Sequence, residues 1–368
     1  MFYYIGRYLA ENFQDPGFLR LLGYISFRSI AAALTSMAIT FLMAKPLIRY
    51  FHKRQFLDYA RNTGIPSASD KSGTPTMGGI LIVVSFAAST LLWSQVGNGF
   101  VILVLFSFLY FAGLGYMDDR AKQSARSGEG GHSEKLKLVL QGLFALGFTL
   151  VVLSRLAPFP EGEGSLLYAP FFKHAVLSGA VIYGIFVFLY FIAVSNSVNI
   201  TDGLDGLAIV PSMFVVSGLG IFAYIIGNSV QAKYLQFTHY PGAGELTVLA
   251  SAFAGASLAF LWYNAYPAQI FMGDTGALAI GGLIASFTVL LKQELLFPLL
   301  GGLFVVEAFT SQLQDKIGVS WIGRRLFHRA PLHHELQYRG LAENKVVVRL
   351  WIISGVLALL ALATIKIR

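Results

Sequence analysis

The chain alternates between long uninterrupted apolar runs and short polar segments. Ten runs predict ten helical spans, at about 25–48, 77–95, 99–117, 136–155, 174–194, 206–226, 246–263, 276–291, 295–312 and 347–366. Each is about 20 residues long, and at about 1.5 Å of rise per residue that crosses a hydrocarbon core of roughly 30 Å. The runs are continuous rather than alternating, which excludes a transmembrane β-barrel. The predicted fold is an all-α polytopic membrane protein, with residues 1–368 forming one membrane domain and no separate soluble one. The N-terminal stretch "MFYYIGRYLAENFQDPGFLRLL" predicts an interfacial amphipathic segment, not a cleaved leader.

Composition agrees with this. Only 12% of residues are charged, about half the share typical of soluble domains. A net charge of +8 raises the question of nucleic acid, but the basic residues follow topology instead. The segments 49–75, 118–135, 195–205, 264–275 and 313–346 fall on one side. With the start of the fourth span they hold 16 Lys and Arg, against about eight on the other side and termini. The positive-inside rule makes the first side cytoplasmic and leaves both termini periplasmic. Eight of the nine Asp also fall there: Asp58, Asp70, Asp118, Asp119, Asp202, Asp205, Asp274 and Asp315, with Asp15 the exception. Acidic residues barely influence topology, and a carboxylate within a span is costly, which makes these functional candidates. No cysteine is present, so thiolate chemistry is excluded.

Four stretches carry candidate chemistry. In "GYMDDRAKQSAR", Asp118 and Asp119 end the third span. Neighbouring side chains on a helix point about 100° apart, so one suits a metal and the other a proton. The plain alternative is solvation of a helix end, with Lys122 or Arg126 as ion-pair partner. In "NITDGLDGLA", Asp202 and Asp205 share one face if they open a helix, and Asn196 and Asn199 upstream suit a polar ring such as a base. A helix cap accounts for one of these carboxylates. In "NAYPAQIFMGDTG", Asp274 stands at a helix N-terminus between Gly273 and Gly276, with Asn264 and Phe271 near. Such an end suits phosphate, and its carboxylate would bring Mg²⁺; capping is the simpler use. In "DKSGTPTMGG", Lys71 precedes a Gly/Thr turn suited to phosphate contact, although the order is not that of a P-loop. Turn chemistry and small residues for helix packing are the simpler account.

A fifth stretch, "RRLFHRAPLHHELQYRG", places His333, His334 and Glu335 among Arg324, Arg325, Arg329 and Arg339. Adjacent histidines match a helical zinc pair poorly, and the basic setting favours an anionic partner: phosphate or substrate carboxylates. Carboxylates for a cation, a phosphate-suited helix end and a basic loop converge on one face. Together they predict phosphoryl transfer at a membrane surface.

The motifs "GTPTMGG", "DD", "NITDGLDGLA", "NAYPAQIFMGDTG", "APLHH" and "ENKVVVRLW", in this order and over nearly the whole chain, resemble the polyprenyl-phosphate N-acetylhexosamine-1-phosphate transferase family. Within it they resemble the branch acting on phospho-N-acetylmuramoyl-pentapeptide. The resemblance implies transfer of phospho-MurNAc-pentapeptide from UDP-MurNAc-pentapeptide to undecaprenyl phosphate. The products would be UMP and the first lipid intermediate (lipid I) of peptidoglycan synthesis, with Mg²⁺ required. It also implies ten spans around a cytoplasmic active-site cleft, a homodimer, and a place in the bacterial cytoplasmic (inner) membrane. By the same resemblance Asp118, Asp119, Asp274 and Lys122 are catalytic, with Asp274 on the metal. Lys71, Thr76, Asn199, Asp202, Asp205, Asn264, Phe271, Gln312, His333 and His334 line the substrate pocket. Glu335 stands in place of a third histidine, Ala68 near the place of another, and "RSGEGGHSEKLK" departs from the usual loop.

The expected mechanism is attack by the carrier's phosphate oxygen on the β-phosphate. Lys71 and Lys122 would stabilise charge, and Asp118 would take the carrier's proton. A covalent aspartyl route is the rival. Two other functions remain open: transfer of GlcNAc-1-phosphate, and an ion-coupled transporter. The absence of a visible inverted repeat and the gathering of acids at one face weigh against the transporter.

Overall fold

Residues 273–290, "GDTGALAIGGLIASFTVL", are apolar or small on every side. A helix without a polar face belongs inside a bundle, and every residue from Thr275 to Leu290 is buried. The computed structural model describes residues 1–12, 17–57, 71, 73–125 and 131–367. In chain order its helices are α1 (Phe2–Asn12), α2 (Ile25–Arg54), α3 (Gly79–Trp93), α4 (Gly99–Ala125), α5 (Glu134–Leu153), α6 (Ala180–Thr201) and α7 (Ile209–Gly227). They continue as α8 (Ser229–Leu235), α9 (Glu245–Asn264), α10 (Gly273–Leu290), α11 (Phe297–Leu300), α12 (Gly302–Gln312), α13 (Leu332–Tyr338) and α14 (Glu343–Ala363). Two two-residue antiparallel strands, β1 (Leu166–Leu167) and β2 (Leu177–Ser178), lie between α5 and α6.

The helix α10 is the axis. It packs on α4, α6, α3 and α7, while α9 lies between α2 and α7. Among the described residues, eight helices are long and apolar enough to cross a membrane: α2, α4, α5, α6, α7, α9, α10 and α14. The ninth predicted span is broken. Residues 294–300 and 302–321 meet at 86°, at a point where Pro298, Gly301 and Gly302 interrupt the helical pattern. The predicted second span is the 15-residue α3, about 22 Å long. The described residues thus hold eight helices able to cross a membrane, or nine with the bent pair, consistent with a multi-pass membrane protein.

Two boundaries differ from expectation in ways that matter. The helix α4 runs to Ala125, not 117, so Asp118 and Asp119 lie inside it and Lys122 is one turn from Asp118. The helix α6 continues to Thr201, and Asp202 is its C-terminal flank. Residues 202–208 then turn before α7, so Asp202 and Asp205 do not share a helix face as the spacing suggested. Polar residues continue both helices because they lie at the rim, where helical backbone needs no lipid-facing side chain. Asp15, Asp58, Asp70, Ala68 and Arg126 fall outside the described residues.

The contact between α4 and α10 is backbone to backbone. A Cβ at Gly115 would stand 2.1 Å from the Asp274 carbonyl oxygen. Small residues permit such close helix crossings in membranes, and here the crossing lies one turn from Asp118 and Asp119. At the far end of the bundle Glu245 at the start of α9 accepts both guanidinium arms of Arg28 from α2, at 2.7 and 2.6 Å. Removing one partner of such a buried pair is far more costly than replacing both.

Gly115→Ala is expected to force α4 and α10 apart and to cost about 1–3 kcal/mol through overpacking. Gly113→Ala, two residues away with nothing within 4 Å of its Cβ position, is expected to be neutral or stabilising by up to about 1 kcal/mol. Thermal unfolding of the two variants in one detergent checks the contrast.

Candidate active site

The first turn of any helix leaves N–H groups without helical partners. At α10 those groups face α4, and Asp119 satisfies two of them. It accepts from the Asp274 N–H at 3.0 Å, the Thr275 N–H at 2.8 Å and the Thr275 hydroxyl at 2.6 Å. A carboxylate also suits the positive end of the helix dipole. Asp118, about 100° around α4, is fully buried. It accepts from the His132 N–H at 2.9 Å, and from Lys122 and Lys137 at 2.9 and 3.1 Å. The same two lysines reach Asp274 Oδ2, at 3.0 and 3.6 Å. Two ammonium groups thus bridge Asp118 and Asp274, and Asp274 keeps the more open carboxylate of the two, at 14% side-chain exposure.

A second cluster lies beside the first. Lys71 bonds Asp205 Oδ1 at 2.7 Å and also Glu343 Oε1, at the first turn of α14. Burial alone would lower the Lys71 pKa, but the two carboxylates outweigh it and hold it above the ordinary lysine value. Asp205 Oδ2 accepts from the Ala268 N–H at 3.0 Å, and Glu343 accepts from the Asp205 N–H at 3.1 Å. Asn264 links the Gly206 N–H, at 3.1 Å, to the Ile270 carbonyl, at 2.9 Å. The loop before α3 joins the same platform: Gly78 donates to Phe271 O and Phe271 to Pro75 O, both at 2.8 Å. Lys71 stands 6.0 Å from the Phe271 ring centre.

Between the clusters stands Asp202. Burial, then the charges of Asp274, Asp119 and Asp205, push its carboxyl up to about 8 against the opposing pull of Lys71. Part of the residue still faces water, which tempers the burial and leaves the neighbouring carboxylates as the firmer cause. His333 is buried beneath this turn. Its Nδ1 lies 3.0 Å from Glu307 Oε2 in α12, and its Nε2 has no hydrogen-bond partner. A Cβ at Gly203 would lie 2.3 Å from that Nε2, so the glycine makes room for the ring. His334 is half-buried, bonded to Gln337 at 3.1 Å. Burial, His333, Lys71 and Arg329 together push its pKa down to about 4, so it is neutral at pH 7.

The structure therefore gathers Asp118, Asp119, Lys122 and Asp274 in one cluster and Lys71, Asp205, Asn264 and Phe271 in the next. Asp202 lies between, with Asn199 in the last turn of α6 and Thr76 in the loop before α3. Gln312 is exposed at the end of α12 and bonds neither cluster. Gln314 is the buried glutamine, holding Leu326 N–H, Phe327 N–H and Phe327 O at 2.9, 3.1 and 3.1 Å. Sequence reasoning missed Lys137, Glu343 and Glu307. Lys137 stands in the first turn of α5, where the dipole disfavours a cation, and that misplacement was its one signal. Glu343 was hidden because an acid suits a helix start. Glu307 interrupts the apolar run "GLFVVEAF", and an ionisable residue within such a run marks a candidate.

These clusters fall within regions that match known proteins. Residues 101–292 match the model of glycosyl transferase family 4. Residues 71–83 match signature 1 of the phospho-N-acetylmuramoyl-pentapeptide transferases. A phospho-N-acetylmuramoyl-pentapeptide transferase of Rickettsia akari (strain Hartford) is 41% identical over 361 residues, covering 98% of this chain and 99% of its own length.

Lys71→Met leaves Asp205 and Glu343 facing each other without a cation. The expected loss is about 2–3 kcal/mol, less than for a wholly enclosed pair because Lys71 is 20% exposed. Adding Glu343→Gln is expected to restore part of it. A double-mutant cycle on thermal unfolding checks the coupling, and strict additivity would contradict it.

Proposed function

The chain belongs to the phospho-N-acetylmuramoyl-pentapeptide transferase family, and from that premise we propose that it moves phospho-MurNAc-pentapeptide from UDP-MurNAc-pentapeptide to undecaprenyl phosphate, releasing UMP. The product is lipid I of peptidoglycan synthesis. The observation that carries this reading is the meeting of Asp118 and Asp274 on the same two lysines at the N-terminus of α10. Phosphoryl transfer asks for positioning and for compensation of charge on the transferred group, and little covalent chemistry. Lys122 and Lys137 supply that compensation where the pyrophosphate would lie.

Five carboxylates, Asp118, Asp119, Asp205, Asp274 and Glu343, with the largely protonated Asp202 beside them, face three lysines, Lys71, Lys122 and Lys137. The excess negative charge fits a divalent cation. No group of three or more His, Asp or Glu forms a ready cage among the described residues. That pattern fits Mg²⁺, which takes one or two carboxylates and completes its shell with water and substrate phosphates. Asp274, the more open carboxylate, would hold it, and the bound ion would draw charge from the leaving UMP.

In the transfer, an oxygen of the carrier phosphate forms a bond to the β-phosphorus, and the bond from that phosphorus to the bridging oxygen breaks. The electron pair leaves with UMP. Lys122 and Lys137 hold the departing and arriving oxygens. A general base must reach its proton, and Asp118 is enclosed, with its oxygens committed to His132 and the lysines. Its role is therefore to hold Lys122 and Lys137, and Asp119 sets the first turn of α10. The Lys71–Asp205–Glu343 platform, with Asn264 and Phe271, takes the nucleotide. We read the molecule as ten spans with α3 and the bent pair included, periplasmic termini, a cleft open to the cytoplasm and a homodimer in the bacterial inner membrane.

Purified protein with Mg²⁺ and undecaprenyl phosphate is expected to release UMP from UDP-MurNAc-pentapeptide and not from UDP-GlcNAc. No release from the first donor would overturn the reading, and release from UDP-GlcNAc alone would assign the sister activity. Lys137→Met is expected to lower kcat roughly 100-fold or more. Asp118→Asn with near-full activity would sink the role given to that residue.

A further inference from the structure

The segment from Arg324 to Arg339 carries charge that the transfer does not use. Along the chain Arg324, Arg325, Arg329, Arg339 and His328 flank one carboxylate, Glu335. Glu335 accepts from the Arg329 N–H at 3.0 Å and the Arg339 Nε at 2.8 Å, and lies 3.2 Å from His328 Nδ1. The backbone N–H of Arg329, then the side chains of Arg339 and His328, hold its carboxyl well below the ordinary range. The residue in the place of a third histidine thus knits the basic loop to α13, and it is spent in doing so.

The guanidinium groups of Arg324, Arg325 and Arg329 are left over, and the last two line one cavity. Arg325 donates one N–H to His328 O at 3.2 Å, a small part of its five donors. The Arg329 guanidinium has no hydrogen-bond or ion-pair partner among the described residues. A cavity of about 320 Å³ opens between them, lined by Arg325, Leu326, Phe327, His328, Arg329 and Tyr338. His328 stacks on Tyr338 with ring centres 5.1 Å apart, forming one wall. Paired arginines favour a planar, bidentate anion, which a carboxylate is. Leu326, Phe327 and Tyr338 add room for a small apolar substituent. The volume is at the lower end for a small-ligand site.

The cavity is also near the cleft. His334 packs on His333 with ring centres 4.2 Å apart, and His333 lies against Gly203 beside Asp202. Glu335 of the same helix holds the Arg329 backbone, so α13 links the basic cavity to the cleft. An extended pentapeptide reaches about 17 Å from its sugar and ends in a carboxylate.

We propose that the Arg325–Arg329 cavity binds the C-terminal carboxylate of the donor's peptide and so selects a peptide-bearing donor. The proposal rests on the function given above. The test uses the full chain, undecaprenyl phosphate and two donors: UDP-MurNAc-pentapeptide and the same molecule with a C-terminal carboxamide. For the unaltered protein, KM is expected to be roughly tenfold higher for the amide. Arg329→Gln is expected to raise KM for the acid roughly tenfold, with kcat within about twofold and the amide unaffected; Arg329→Lys recovers part. Equal KM for the two donors, or an equal rise for both in Arg329→Gln, would overturn the proposal while leaving the transfer reaction intact. So would a variant whose only defect is weaker binding to vesicles of anionic phospholipid, which would make the cavity a headgroup site. Absence of UMP release from the acid donor by the unaltered protein would instead overturn the function and this proposal with it.

Discussion

Asp119 of α4 accepts from two of the first N–H groups of α10, those of half-buried Asp274 and buried Thr275. An unpaired N–H in such a place would cost a large part of a hydrogen bond's desolvation energy. The contact therefore fixes where α4 can sit along α10. Gly115 allows the two backbones to touch one turn away, so the fit is set by backbone and not by adjustable side chains. Once α4 is placed, Asp118 and Lys122 are placed with it, and Asp274 meets both. A cap that looks like a detail of helix chemistry thus sets the geometry of the charged centre.

That centre is unbalanced by design of its parts: lysines bridge carboxylates, yet carboxylates remain in excess. Within a low-dielectric bundle such an excess is expensive unless a cation offsets it. Beside it, Lys71, Asp205 and Glu343 tie three segments distant in sequence into one wall. His333 and Glu307 brace the turn behind Asp202 from below. In the proposed reading, chemistry and binding are adjacent but held by different elements, α4 and α10 for the first, α14 and the loops before α3, α7 and α10 for the second.

Much of this was legible in the sequence. Long apolar runs announce spans, and Asp residues at their ends announce a polar rim. The length of α4 and α6 was not legible, because polar residues at a rim look like loop whether or not the backbone stays helical. The placement of Asp119 as a cap was not legible either, since the helix it caps lies about 155 residues on. Lys137 is one of the basic residues that topology alone explains, and an acid such as Glu343 suits any helix start, so neither stands out in the sequence. Gln312, a motif position carried by resemblance, is exposed at the end of α12, while Gln314 is buried and holds the loop that follows. Glu335 departs from the family motif but is turned to the basic loop, so its departure changes the loop and not the aspartate centre.

The central claim is that the α4–α10 junction is a divalent-cation centre built on Asp274. The most direct measurement is Mn²⁺ binding by electron paramagnetic resonance, with UMP and inorganic phosphate present, in the unaltered protein, Asp274→Asn and Asp205→Asn. The account predicts that Asp274→Asn weakens Mn²⁺ binding at least roughly tenfold, whereas Asp205→Asn changes it by less than about twofold. Equal losses in both variants, or no Mn²⁺ bound by the unaltered protein, would contradict it.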